Sequence, residues 1–260
     1  MDLVEARARG FEAGVRHPWE RARVMLADRL IARHAALTAG ATVLDVGCGD
    51  TFVCETLAAR HPGVHFHAVD KAFTPELIET YRARLSVQNV SLYASLDDMP
   101  PAPPASLVLL MDVLEHVPDD CSFLDELCRR PCVDGDTRIL ITVPSYAWLF
   151  ASHDRFLGHF RRYSTRTLNN LLKHVGLVAL ESGHLFTSLL AVRMLQVLRE
   201  RVMRSTGDAP TDLASWTGGE WKARTLARVL TLDGRFALSL SAFGLRVPGL
   251  SNFTVCRKSA

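Results

Sequence analysis

Val43-Leu44-Asp45-Val46-Gly47-Cys48-Gly49-Asp50 is the stretch on which the reading of the chain turns. An apolar, β-branched run over residues 41–46 ends on two glycines, and residues 52–60 then follow a helical pattern. Strand, glycine bend and helix form the unit with which an open α/β sheet holds a nucleotide. Gly47 and Gly49 permit a tight turn and let the backbone approach a ligand with no Cβ in the way. The helix start behind them offers unpaired N–H groups, which in a dinucleotide enzyme hold a pyrophosphate. Here, however, Asp45 and Asp50 flank the bend. Two carboxylates repel a phosphate and favour a ligand with a positive centre.

Outward from the bend, strand and helix signals alternate. Residues 64–69 read as a strand ending at Asp70, about twenty residues past the glycines, where an acid can accept both hydroxyls of a ribose. Helices are predicted over 18–38, 75–85, 119–130 and 165–175, and strands over 90–94, 106–111, 138–143 and 177–181. A helix-rich stretch follows, roughly 185–240, and residues 252–257 close the chain as a late β-rich run. The alternation predicts a largely parallel Rossmann-like sheet of seven strands with helices on both faces, the last strand inserted antiparallel. Four parts are expected: a helical cap over 1–38, a nucleotide-binding core over 39–184, a helical insertion over 185–250, and the final strand over 251–260.

The 260 residues suffice for one large α/β domain, and 48% apolar content suffices for its core. A net charge of +2 gives no case for a nucleic-acid partner. No secretory pattern opens the chain and no apolar run is long enough to span a bilayer, so a cytoplasmic location is expected. The six cysteines show no paired framework or zinc spacing and read as free thiols.

The bend and Asp70 together resemble the class I S-adenosylmethionine (SAM)-dependent methyltransferases, whose Asp-x-Gly-x-Gly motif is similar to residues 45–49. The likeness continues at Ser95-Leu96-Asp97-Asp98-Met99-Pro100 and at Leu110-Met111-Asp112-Val113-Leu114-Glu115-His116-Val117, and it covers most of residues 40–180. It implies SAM as cofactor and S-adenosylhomocysteine as product. Gly47, Cys48 and Gly49 would meet the amino-acid part, and Asp45 would favour its positive charge. Asp70 would bind the ribose and Lys71 would lie along the adenine. Leu96, with Ser95 or Asp97, would meet the adenine edge, and Met111 would lie near the sulfonium with Asp112 close behind. Thr51 stands where the family often has a third glycine, and Ser95 where it often has an acid.

Two clusters are candidates for the reacting end. If a helical turn starts near Asp112, then Asp112, Glu115 and His116 share a face. His116 can serve as a base near neutral pH. The trio resembles the acid-x-x-acid-His motif of ubiquinone-type O-methyltransferases, which implies a divalent metal as a minor alternative; no metal ligand set is assigned. The second cluster, residues 144–163, interleaves Tyr146, Trp148 and Tyr163 with His153, His159, Arg161 and Arg162. Aromatic walls with a few polar groups can line an acceptor pocket, with His153 on either the catalytic or the binding side. Arg161 or Arg162 can grip an acceptor carboxylate or phosphate, or else bridge structurally to Asp154. This segment resembles a type 11/12-like branch whose members act beside lipid, polysaccharide or polyketide pathways.

The expected function is methyl transfer to a small or lipid-linked acceptor, at a hydroxyl or phenol, with His116 as base. An NAD-dependent oxidoreductase is the alternative, although Phe52 stands where its third glycine belongs; a non-catalytic SAM-binding module is another. The helix over 185–204 carries leucines and arginines at helical spacing. It can pack on the domain, cover the site, form a dimer face or lie on a membrane surface. His17, Trp19, Trp216 and Trp221 are candidates to fold over the site.

Overall fold

The computed structural model describes residues 15–203, 216 and 218–259. Its centre is a seven-stranded sheet in the order β3-β2-β1-β4-β5-β7-β6. β1 (Thr42–Val46), β2 (His65–Val69), β3 (Val90–Tyr93), β4 (Leu107–Met111) and β5 (Arg138–Pro144) run parallel, and β7 (Ser251–Lys258) enters antiparallel between β5 and β6 (Leu177–Leu185). β4 is buried at every residue and β1 at all but its first, because helices cover both faces. β6 extends beyond the span expected from sequence, through Leu185. Its outer half alternates too weakly to be read, yet it pairs with β7 along its length.

The helices are α1 (Pro18–His34), α2 (Phe52–Arg60), α3 (Pro75–Arg84), α4 (Asp120–Arg129), α5 (Ser152–Phe156), α6 (Thr165–His174), α7 (Thr187–Met203) and α8 (Glu220–Ser241). Their starts carry local signals. Pro18 and Pro75 open α1 and α3, and Thr74, Asp119 and Ser164 cap α3, α4 and α6. α1 packs against α8, where Gly234 sits so close to Leu26 that an added Cβ would lie 2.2 Å from Leu26 Cδ1. Arg21 joins the two helices through Glu220 (2.8 and 3.0 Å).

Among the described residues, four non-glycine residues adopt left-handed backbone: Thr51 (φ 65°), Asp112 (φ 59°), Tyr146 (φ 61°) and Phe186 (φ 64°). Each lies on the segment leaving the carboxyl end of a strand: β1, β4, β5 and β6 in turn. Such conformations are costly for residues with a Cβ and cluster at functional edges of a fold. Thr51 holds this conformation with a Cβ, where glycine would avoid the cost.

Candidate active site

The carboxyl ends of β1, β2, β4 and β5 open into a cavity of about 850 Å3, with α1, α7 and α8 over it. At its floor is the glycine bend. Gly47 and Cys48 donate their N–H groups to the Val69 carbonyl (2.7 and 3.2 Å), and Gly49 donates to Asp70 Oδ2 (2.9 Å). All three amides are therefore engaged within the protein. Asp50, the second acid of the bend, is paired with Arg16, while Asp45 and Asp70 line the cavity beside the bend; amides already engaged in this way do not form the N–H cradle a pyrophosphate needs. The φ of Gly47 is +72°, and a Cβ there would approach Val113 Cγ2 to 2.7 Å.

Asp45 is buried beneath the bend, and its Oδ2 has no hydrogen-bond partner. Burial pushes this carboxyl up to about 7, against the pull of the Arg23 guanidinium. Asp70 is fixed at the tip of β2 by the Gly49 and Ala72 N–H groups (both 2.9 Å) and lines the cavity. Lys71, Ser95, Leu96 and Met111 also line the cavity. Asp97 does not: it is exposed and paired with Arg130, which takes its place on the wall. Ser95 caps the short turn Leu96–Asp98, accepting from Asp97 N–H (3.2 Å).

Asp112 lies on the cavity but is committed elsewhere. It pairs with Arg23 and accepts from Thr142 Oγ1 (3.1 Å). Arg23 in turn lies 4.7 Å over the Trp19 ring. α1 thus closes the site with His17, Trp19, Glu20 and Arg23. The sequence pointed to the two rings. It missed Glu20 and Arg23, whose only signal is a pair of charges on the apolar side of α1; both are buried.

Leu114–His116 form a single 3-10 turn, so Glu115 and His116 sit beside His159. The His116 and His159 rings meet edge to face at 4.6 Å. His159 Nδ1 bonds Asp154 Oδ1 (3.0 Å), which leaves Nε2 as the ring's other nitrogen. Asp154 is fully buried and also bonds Arg162 (2.7 Å), Arg193 (2.9 Å) and the Ala151 N–H (3.0 Å). Burial alone would raise its carboxyl, but the His159 hydrogen bond and the Arg162 charge hold it well below the ordinary range. Neighbouring His153 lines the cavity and is pushed down to about 4 by burial and by Arg193, so it is neutral at physiological pH.

Of the remaining acceptor candidates, Arg162 lines the cavity, with its guanidinium held by Asp154. Tyr146, Trp148, Arg161 and Tyr163 are not on its wall. Tyr146 stacks on His184 (5.6 Å), and Trp148 is half exposed. Arg161 and Tyr163 both bond Asp120 (2.7 and 2.6 Å), fastening the 144–163 segment to the start of α4. Spacing could not separate Arg161 from Arg162; the fold turns one to α4 and the other to Asp154.

Glu115, His116 and His159 bring one carboxyl oxygen and two ring nitrogens within 4.8 Å of one another. One oxygen and two nitrogens fit a transition ion better than Mg²⁺ or Ca²⁺, which favour all-oxygen sets. Burial and the nearby Asp112 push the Glu115 carboxyl well above the usual carboxylate range. Asp112, turned to Arg23, is not in this group.

A sheet of this order, with a glycine bend after β1 and an acid at the tip of neighbouring β2, is the arrangement of a nucleoside-binding α/β fold. Residues 19–182 match the methyltransferase-domain family, and the chain belongs to the SAM-dependent methyltransferases of that family. It is similar to the ubiquinone biosynthesis O-methyltransferase of Xanthomonas campestris, 36% identical over 118 residues, covering 44% of this chain and 47% of that protein. The chain spans between about a third and a half of the length of the curated relatives it matches. In fold it resembles the methyltransferase bound to the Trm112 activator of Haloferax volcanii (TM-score 0.57, 17% identity, 98% of this chain and 94% of that one). It also resembles Haemonchus contortus phosphoethanolamine N-methyltransferase 2 in complex with SAM (TM-score 0.52, 17% identity, 90% and 52%).

Proposed function

We propose that the chain transfers the methyl group of SAM to a hydroxyl or phenol of a small or lipid-linked acceptor. One observation carries this reading. A donor-poor, acid-lined bend and a histidine pair backed by a buried carboxylate line the same cavity. When bound, SAM supplies an activated methyl group on a positive sulfur. Asp45 and the carbonyls of the bend hold the positive end, and Asp70 accepts the ribose hydroxyls. Lys71, Ser95 and Leu96 flank the base. Arg23 keeps Asp112 in place, and α1 excludes water from the reacting end.

His116 accepts the acceptor's proton as its oxygen is methylated, and His159 stands beside it with Nδ1 tied to Asp154. His153 is too weakly basic for that task and serves as a hydrogen-bonding wall. The acceptor enters between the histidines and α7. The curated relatives' O-methyltransferase activity supports oxygen as the target atom.

Calorimetry with SAM and S-adenosylhomocysteine tests the cofactor half. Asp70→Ala should weaken binding at least about tenfold, ~1.4 kcal/mol; unchanged affinity removes the ribose role. Thermal stabilisation by NAD but by neither SAM nor S-adenosylhomocysteine would overturn the whole reading. For the acceptor half, methyl-labelled SAM is offered with alkyl phenols and with the matching alkyl amines. Label on the phenol, lost in His116→Ala while SAM affinity holds, is expected. Label on the amine alone would rule out O-methylation.

A further inference from the structure

Most of the exposed large apolar residues among the described residues lie on α7, α8 and the turn after α8. On α7, Ala191, Leu195, Leu198 and Val202 recur at helical spacing on the side away from buried Leu190, Arg193 and Val197. Leu195 is 69% and Val202 73% exposed. On α8 the inner stripe Ala223, Ala227, Leu230, Gly234 and Ala237 is buried against the domain. The opposite side carries Trp221, Val229, Leu232 and Phe236, exposed at 75%, 52%, 60% and 63%. α8 is therefore apolar on two sides, and only one of them is covered by the protein.

Charge is arranged around these stripes with one sign. At 100° per residue, Arg199 and Arg201 border the α7 stripe on either side. Arg224, Arg228 and Arg235 border the α8 stripe on one side and Lys222 on the other, and all four are exposed. The acids of the described parts of this region are partly buried and already committed. Glu220 pairs with Arg21 and Arg224, Asp233 accepts from Ser188, and Glu200 accepts from the Ser152 N–H. The face is thus cationic although the chain as a whole carries only +2.

We propose that the outer faces of α7 and α8 dock on an anionic lipid surface. Apolar stripes bordered by Lys and Arg match such a surface in both hydrophobicity and charge. A second copy of the chain would set the same cations against one another, which disfavours a self-complementary contact. No described helix is long and apolar enough to cross a membrane, so the helices lie along it. The face also runs into the catalytic cavity. Val192 of α7 and Leu226 of α8 are partly solvent-exposed and line the cavity as well, giving an apolar path by which a lipid-linked acceptor reaches His116 without crossing water.

Docking stands apart from the identity of the acceptor, and its test needs neither SAM nor acceptor. The full chain is floated with phosphatidylcholine vesicles containing 30% phosphatidylglycerol, at low and at high salt. Binding at low salt is expected, weakened at least about tenfold by Leu232→Asp/Phe236→Asp and by Arg228→Glu/Arg235→Glu, and weakened at high salt for the natural chain. Circular dichroism melting confirms that each variant is folded, and a variant that is not is replaced by Leu195→Asp/Val202→Asp. The proposal is overturned by absence of vesicle binding, by binding that these substitutions leave intact, or by a dimer in solution that Leu232→Asp/Phe236→Asp disperses while vesicle binding persists.

Discussion

Asp45 shows how one buried side chain links stability, ligand and pH. Its folded pKa of about 7 lies above the ordinary 3.8, so the fold favours the protonated acid. That contribution is complete below pH 4 and is lost as pH rises through 7. A ligand with a sulfonium and an ammonium favours the ionised form. SAM binding should therefore expel a proton at pH 6–7, and affinity should rise from pH 6 to 8. Asp45→Asn should abolish that rise and weaken binding at pH 8 at least about tenfold, ~1.4 kcal/mol. The same substitution should stabilise the ligand-free chain at pH 8 by about 2 kcal/mol, because no charge is then buried. Calorimetry in two buffers of different ionisation enthalpy and melting at pH 5 and 8 check both signs. Gly47 is constrained twice, by a positive φ and by Val113. Gly47→Ala should cost about 2 kcal/mol of stability in denaturant titration and lower SAM affinity as well. The glycine was legible in sequence because no other residue suits such a bend. The burial of Asp45 was not, since an Asp in that motif reads the same whether wet or dry.

At the scale of elements, the 144–163 segment is the part whose role sequence left open. Its aromatic and basic residues suit a pocket wall and a packed strap equally well. The structure divides them, with His153, His159 and Arg162 on the cavity and Tyr146, Trp148, Arg161 and Tyr163 off it. Asp154 is the joint of the strap, with two buried guanidiniums and one imidazole on a single carboxylate. Asp154→Ala leaves Arg162 and Arg193 buried without their counter-ion and should cost about 3–5 kcal/mol. Arg161→Ala breaks a pair that is one-third open to solvent and should cost about 1 kcal/mol or less. Melting curves of the two variants should differ accordingly; equal small losses would mean that Asp154 is not the joint. The start and end signals of α1, α3, α4 and α6 were all local, which is why those helices fall within a few residues of their predicted spans. α5 has no side-chain cap at its N-cap residue Ala151; its Asp154 accepts from the Ala151 N–H and is also held from outside the helix by His159, Arg162 and Arg193.

For the molecule as a whole, the site is closed by elements that are remote in sequence. α1 covers the reacting end because Leu26 fits against Gly234 of α8 and Arg21 reaches Glu220. Gly234→Val should prise α1 from α8, lowering the melting temperature and weakening SAM binding, although Gly234 touches no part of the cavity. Conversely, saturating S-adenosylhomocysteine should stabilise the chain, by about 2.7 kcal/mol at a hundred times its Kd, and slow amide exchange in α1. Loss of stability without loss of affinity in Gly234→Val would show that α1 is not part of the site. Local sequence determined most of the strands, the glycine bend and the acid at the tip of β2, because strand period, glycine conformation and helix caps are properties of neighbouring residues. Only the tertiary structure decided that the bend's amides are already engaged, that Arg23 rather than a ligand holds Asp112, and that Arg162 rather than Arg161 faces the cavity. Those outcomes depend on which side chains meet across the fold and on how much water reaches them, and neither is a property of a short stretch of chain.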